Sequence, residues 1–213
     1  MVQIQAFTFN PFQENTYVLW DETQECIIID PGCSNPYEQD ELSGFILSQK
    51  LKPVKLVNTH CHIDHVMGNR FVAETFNLDL YIHKDDLFLL QNVENVGKMY
   101  GVPVVSSPEP AHFLDESQRL TFGNSSLQIF HTPGHSPGSI SFLDKESKML
   151  VVGDVLFNGS IGRTDLPGGH YETLINSIVT KLLPLGDDIK VYSGHGPLTS
   201  IGKEKLTNPF LVG

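Results

Sequence analysis

The segment Thr59-His60-Cys61-His62-Ile63-Asp64-His65 places three imidazoles and a carboxylate within six residues. Packing that many polar groups together costs desolvation with little apolar gain, whereas a bound cation supplies the missing partner charge. In an extended segment alternate side chains point one way, so His60, His62 and Asp64 would converge while Cys61 and Ile63 turn back into a core. His65 would then arrive from the adjoining turn. A single loop histidine is more often a satisfied polar group, but four ligand-type side chains at this spacing read as a metal site.

Three further ligand-type residues follow apolar runs and have glycine beside them. His135 lies in Thr132-Pro133-Gly134-His135-Ser136-Pro137-Gly138, Asp154 in Val151-Val152-Gly153-Asp154, and His195 in Gly194-His195-Gly196-Pro197. Glycine lets backbone approach a metal closely. Imidazole and carboxylate donors without thiolate suit zinc first, and iron or manganese as well.

The elements that must position these residues follow from the patterning. Thr16–Trp20, Cys26–Asp30 and Lys55–Asn58 are short, rich in branched and aromatic residues, and bounded by turn formers, as buried strands are. Asn35 and Pro36 start a helix whose Glu38, Asp40 and Glu41 suit its positive end and whose Leu42, Phe45 and Ile46 give it an apolar face. A helix over Arg70–Phe76, a strand at Leu80–Ile82 and a helix within Lys84–Asn95 come next. Gly97–Asp115, broken by Pro103, Pro108 and Pro110, reads as a flexible loop or lid.

Ser126–His131, Ser139–Leu143, Met149–Gly153 and Lys190–Ser193 read as strands, and Tyr171–Leu183 as a helix with Leu174, Ile175, Ile178 and Leu182 facing inward. Strands in two groups, each with its helices, predict an α/β fold: two packed sheets covered outside by helices, an αββα four-layer sandwich. No linker-like stretch interrupts residues 1–213, which read as one domain.

With these residues the chain resembles the metallo-β-lactamase superfamily, whose H-x-H-x-D-H motif and three downstream ligands match in identity and order. The resemblance implies the αββα fold and two divalent metal ions. One would be held by His60, His62 and His135, the other by Asp64, His65 and His195, with Asp154 bridging both. Two such ions about 3.5–4 Å apart can share a water, lower its pKa and polarise the carbonyl it attacks. In true β-lactamases of this fold a cysteine commonly stands where Asp154 stands, which argues against antibiotic hydrolysis.

Phe157-Asn158-Gly159-Ser160-Ile161-Gly162-Arg163-Thr164-Asp165-Leu166-Pro167-Gly168-Gly169 resembles the short, single-domain glyoxalase II subgroup. The resemblance implies a thioesterase acting on S-(2-hydroxyacyl)glutathione, with Asp64 and Asp154 at the hydroxide. In the longer glyoxalase II enzymes a lysine near the Arg163 position holds a glutathione carboxylate, and an arginine could do so bidentately. The tyrosine that follows that lysine is replaced around Asp165, and their C-terminal helical domain is not expected here. An ion pair with Asp165 is the structural alternative for Arg163. Lys203 and Lys205 are further candidates for a cationic rim, or simply solvated.

His83, His131, His112 and His170 are expected to pack, support or face solvent, and Cys61 to be a buried small residue. Fourteen Lys+Arg against 25 Asp+Glu leave a net charge of −11, a field that repels phosphate backbones and anionic lipid. A small-molecule partner is expected, with no nucleic acid and no membrane. Cys26, Cys33 and Cys61 form no C-x-x-C pair and the N-terminus has no signal-peptide pattern, which fits a reducing cytoplasm. The rival activities within the fold are an iron-dependent persulfide dioxygenase, which shares a Gly-Arg-Thr-Asp element, and a lactonase. Nuclease action and a non-catalytic metal module fit less well.

Overall fold

Alternate residues along the buried strands serve two different cores, and this sets the architecture. In β2 (Glu14–Trp20) and β3 (Glu25–Ile29), Val18 and Ile28 face one side while Tyr17, Leu19, Ile27 and Ile29 face the other. Both faces are dry, so the strands read as apolar runs without a polar alternation. The computed structural model of the protein, which describes residues 1–212, adds β1 (Gln3–Phe9), β4 (Lys52–Val57), β5 (Leu80–Ile82) and β6 (His112–Phe113) to complete a sheet of order β1-β2-β3-β4-β5-β6. Pairing is antiparallel from β1 to β3 and parallel from β3 to β6.

The second sheet contains β7 (Arg119–Phe122), β8 (Ser125–His131), β9 (Ile140–Asp144), β10 (Met149–Gly153), β13 (Lys190–Ser193) and β14 (Thr199–Ser200), in the order β14-β13-β10-β9-β8-β7. A small hairpin of β11 (Leu156–Phe157) and β12 (Ser160–Ile161) follows β10. Between the sheets, Leu19, Ile27 and Val57 pack in one cluster with Ile129, Phe142 and Val151. Outside the first sheet lie α1 (Pro36–Ser48) and α3 (Asn69–Phe76), which bury Leu42, Ile46 and Val72. Outside the second lie α6 (Tyr171–Ser177) and α7 (Ile201–Thr207), contributing Leu174 and Ile201. The three cores and four layers are the αββα sandwich that the patterning predicts.

The predicted N-cap is in place: Asn35 Oδ1 accepts from Tyr37 N–H at 3.0 Å and Glu38 N–H at 3.2 Å. Two expectations change. Gly97–Asp115 is not loop throughout, because α5 (Val93–Tyr100) continues through Gly97. A Cβ there would lie 2.8 Å from Val102 O, so this glycine serves close packing of the returning chain and does not end the helix. Tyr171–Leu183 is not one α-helix either: after Ser177 it widens into a π turn over Ile178–Leu182 and closes as a 3-10 turn at Leu183–Leu185. Pro184 has no backbone N–H to continue the ladder. Among the described residues no helix is long and apolar enough to cross a membrane.

Candidate functional site

The chain leaves β4 as a loop carrying His60 and His62 and then enters the short helix α2 (Ile63–Val66). The extended reading of this segment therefore holds only as far as His62, whose φ of −69° and ψ of 155° are extended. His65 N–H donates to His62 O at 3.1 Å, so Asp64 approaches from a helical turn and not from a strand, while His65 comes from a turn as expected. Cys61 and Ile63 do turn into the core. His135 comes from the β8–β9 connection, Asp154 follows β10, and His195 follows β13.

These seven side chains meet in two groups that share one acid. His135 Nε2 lies 3.2 Å from His60 Nε2 and 2.8 Å from His62 Nδ1. Asp64 Oδ2 lies 3.0 Å from His195 Nε2 and 3.7 Å from His65 Nε2. Asp154 stands between them: its Oδ2 is 3.5 Å from the Nε2 of both His135 and His195, and its Oδ1 is 3.4 Å from His65 Nε2.

The outer nitrogens of four of these rings are occupied by acceptors. His65 Nδ1 donates to Asp30 Oδ2 at 3.0 Å, His135 Nδ1 to Arg163 O at 2.7 Å, and His195 Nδ1 to Gln13 O at 3.2 Å. Thr59 Oγ1 donates to Asp30 Oδ2 at 2.5 Å and so receives His60 Nδ1 at 3.1 Å. With Nδ1 engaged as donor, each Nε2 is left to face the interior, the arrangement that outer partners impose on metal-binding histidines. His65 Nε2 and Asp154 Oδ1 are buried with no hydrogen-bond partner. Buried polar atoms are seldom left so, and a cation between the groups would satisfy them. The residues therefore fit metal.

Charge within the cluster divides the rings in two. Burial, reinforced by the neighbouring imidazoles, holds His60 well below its ordinary pKa and lowers His62 to about 3. Burial alone would lower His65 as well, but Asp64 and Asp154 outweigh it and raise it well above the ordinary value. His195 is raised against burial by its hydrogen bond to Asp64 and by Asp154. In return, His65 helps keep Asp64 and Asp154 ionised although burial opposes it. Protons on His65 and His195 are the counter-charges these rings offer the two acids, and metal binding would displace them.

The flanking glycines make room for side chains. A Cβ on Gly194 would stand 2.2 Å from Asp154 Oδ1 and 2.6 Å from His65 Cε1, so any larger residue would push the end of β13 off the cluster. Asn15 Nδ2 donates to Ser193 O and Gly196 O at 3.1 and 2.9 Å, and Tyr17 Oη donates to Ser193 O at 2.6 Å. The His195 loop of the second sheet is thereby fastened to the first.

Two supporting acids escape the sequence reading. Asp30, placed there only as a strand end, sits just past β3 at φ 50° and carries both Thr59 and His65. Asp86 is wholly buried, and burial raises its pKa. It accepts Cys61 N–H at 3.0 Å, Ser136 Oγ at 2.8 Å and Gly138 N–H at 2.6 Å, tying the His60–His62 loop to the His135 loop. Each is a lone carboxylate far in sequence from what it holds, which leaves no local signal.

Arg163 lines a cavity of about 470 Å³ beside the cluster and is also ion-paired: its Nε and Nη2 donate to Asp165 Oδ1 and Oδ2, both at 2.7 Å. Lys203 bonds Asn158 and Lys205 pairs with Asp187, and neither lines the cavity. His83 and His131 stack on each other at 4.3 Å, His112 stacks on Tyr81 at 4.2 Å, and His170 caps α6, packing and surface roles as expected.

A four-layer αββα sandwich that gathers five histidines and two aspartates into paired metal-type groups belongs to the class of metal-dependent hydrolases. The chain belongs to the metallo-beta-lactamase superfamily, whose sequence profile matches residues 9–195. It is similar to the hydroxyacylglutathione hydrolase GloC of Haemophilus influenzae, with 40% identity over 99% of this chain and 98% of that one. Among solved structures, the BLEG-1 B3 metallo-beta-lactamase superposes with a TM-score of 0.91 at 38% identity, covering 99% of this chain and 100% of the other. TTHA1623 in a di-iron-bound form does so with a TM-score of 0.88 at 37% identity, covering 97% and 100%.

Proposed function

We propose that the protein hydrolyses thioesters, with S-(2-hydroxyacyl)glutathione as the substrate class. Two divalent cations would sit between His60, His62 and His135 on one side and Asp64, His65 and His195 on the other, sharing Asp154. The observation that carries this reading is the hydrogen bonding of the rings: four of the five histidines spend Nδ1 on an outer acceptor and keep Nε2 for the interior. Zinc suits these donors first, and iron and manganese suit them too. When bound, such a pair of ions supplies an activated water and an electrophile for the carbonyl oxygen.

The side chains provide the rest. Asp64, kept ionised by His65 and His195, accepts the proton of the attacking water. A thiol leaving group with a pKa near ~8.5 departs as thiolate, so no separate acid need stand beside it. Glutathione as the thiol is supported by the name of the Haemophilus relative, and Arg163 on the cavity wall would exchange Asp165 for a glutathione carboxylate. The test is metal analysis of purified protein alongside hydrolysis of S-lactoylglutathione and oxidation of glutathione persulfide. About two metals per chain with thioester turnover is the expected result. Oxygen uptake with the persulfide and no thioester turnover would replace this reading with the dioxygenase. A second reading, β-lactam hydrolysis, is favoured by the similarity to BLEG-1, and turnover of a chromogenic cephalosporin tests it in the same preparation.

A further inference from the structure

The cavity beside the cluster is much more apolar than a tripeptide thiol. One wall is formed by Phe12 with Leu89, Val96 and Tyr100 from α4 (Leu87–Gln91) and α5, and Phe157, Ile161 and Leu166 stand in the remaining wall. Phe12 and Tyr100 meet edge to face with ring centroids 5.9 Å apart, and Phe157 stands edge-on to His195 at 6.1 Å. The apolar surface thus runs up to the ligand-type residues themselves. Outside that set, Arg163 is the one charged side chain lining the cavity among the described residues, and Asp165 already engages two of its donors.

Glutathione carries two carboxylates and an ammonium. A single, partly neutralised cation cannot complement three charges taken out of water, so the charged ends of the tripeptide belong in solvent with Arg163 at their edge. What remains to fill the apolar space is the acyl half of the substrate. The methyl of a lactoyl group would cover little of it.

We infer that the cavity is an acyl pocket, selecting thioesters whose 2-hydroxyacyl group carries an apolar side chain, alkyl or aryl, over the lactoyl group. This rests on the thioester reading above. The pocket then acts on kcat/KM through surface buried in the transition state, at up to about fourfold per fully buried methylene.

The experiment compares metal-loaded protein on S-lactoyl-, S-(2-hydroxybutanoyl)- and S-(2-hydroxyhexanoyl)glutathione, which share one thiol and a nearly constant carbonyl reactivity. From the first to the last, kcat/KM is expected to rise by about tenfold or more, since the added methylenes need only part of their full burial to give it. Leu89→Ala and Val96→Thr are each expected to shrink that ratio toward one. Measurable turnover with a flat or falling series overturns the acyl pocket and leaves the thioester reading standing. A rising series that both variants leave unchanged places the acyl group elsewhere and also overturns it. Hydrolysis of none of the three overturns the thioester reading and the pocket with it.

Discussion

Replacing Asp30 with Asn separates the hydrogen-bonding direction of the rings from their mere proximity. Asp30 is 1% exposed and accepts Thr59 N–H at 2.7 Å, the Thr59 hydroxyl at 2.5 Å and His65 Nδ1–H at 3.0 Å. Asparagine keeps the shape but turns one oxygen into a donor. With its oxygen on Thr59 N–H, its NH2 faces His65, whose Nδ1 must lose its proton to accept it. The proton then sits on Nε2 and occupies the position from which His65 would bind metal. The opposite orientation sets NH2 against Thr59 N–H and leaves a buried donor unpaired at about 1–3 kcal/mol. Losing an outer partner of this kind lowers metal affinity about 10–100-fold, or roughly 1.4–2.8 kcal/mol at 1.4 per decade. The loss should fall first on the ion held by Asp64, His65 and His195, and extend to the one held by His60, His62 and His135, because the Thr59 hydroxyl that receives His60 Nδ1 gives its proton to the same Asp30 oxygen as His65. Competitive chelator titration, with circular dichroism to confirm folding, reads the two equivalents separately. Two unweakened equivalents in folded Asp30→Asn would refute the reasoning.

Asp154→Ala is expected to abolish activity and weaken both metal equivalents, while Cys61→Ser, altering a thiol that is 1% exposed, should leave metal content intact and most activity in place; equal loss in both would assign chemistry to Cys61. Arg163→Ala should raise KM for a glutathione thioester by about tenfold with kcat unchanged, because the carbonyl that holds His135 is backbone and survives the substitution. Asp165→Asn should move KM the other way by freeing the guanidinium, and steady-state kinetics of the pair would expose a purely structural ion pair as no change in either. Asp86→Ala strips the partner from three donors, of which the two backbone amides stay buried, and should cost about 3 kcal/mol or more in denaturant titrations. Chelation should lower the melting temperature, and zinc at 100-fold over its Kd should restore about 2.7 kcal/mol; an unchanged melt would mean that the folded state gains nothing from metal.

Strands with both faces buried were readable because every position carries the signal, as in β2 and β3. The edge strand β1 was missed. Gln3-Ile4-Gln5-Ala6-Phe7-Thr8-Phe9 alternates weakly, and only Phe7 and Phe9 at its C-terminal end are buried, so neither an apolar run nor a clean period of two stands out. The two-residue β11, β12 and β14 lie below the length at which periodicity means anything. In α7, Gly-Lys-Glu-Lys reads as a polar tail, yet Glu204 is wholly buried and accepts from Gly159 N–H, Thr199 Oγ1 and Asn208 Nδ2. Thr199 and Asn208 are near in sequence and Gly159 is not, but Ser, Thr, Asn and Gly are common beside solvated acids too, so the local residues do not mark this one as buried.

The same division runs through the site. His60, His62, Asp64 and His65 were legible because desolvating several polar groups in a row has no common explanation besides a cation, and His135, Asp154 and His195 gained meaning only by completing that set. What makes the cluster a site is the outer layer, where Asp30 and the carbonyl oxygens of Gln13 and Arg163 fix ring direction and Asp86 fixes loop against loop. Two of those acceptors are backbone atoms and carry no side-chain identity at all. Substitution at Gln13 or Arg163 therefore leaves the acceptor in place, whereas insertion or deletion in either loop would move it. A one-residue deletion between Gly162 and Leu166 should consequently release His135 and metal, where Arg163→Ala would release neither. Metal content of the two purified variants decides this, and a deletion variant that keeps both ions would show that His135 is aligned by the ions themselves and not by the carbonyl behind it.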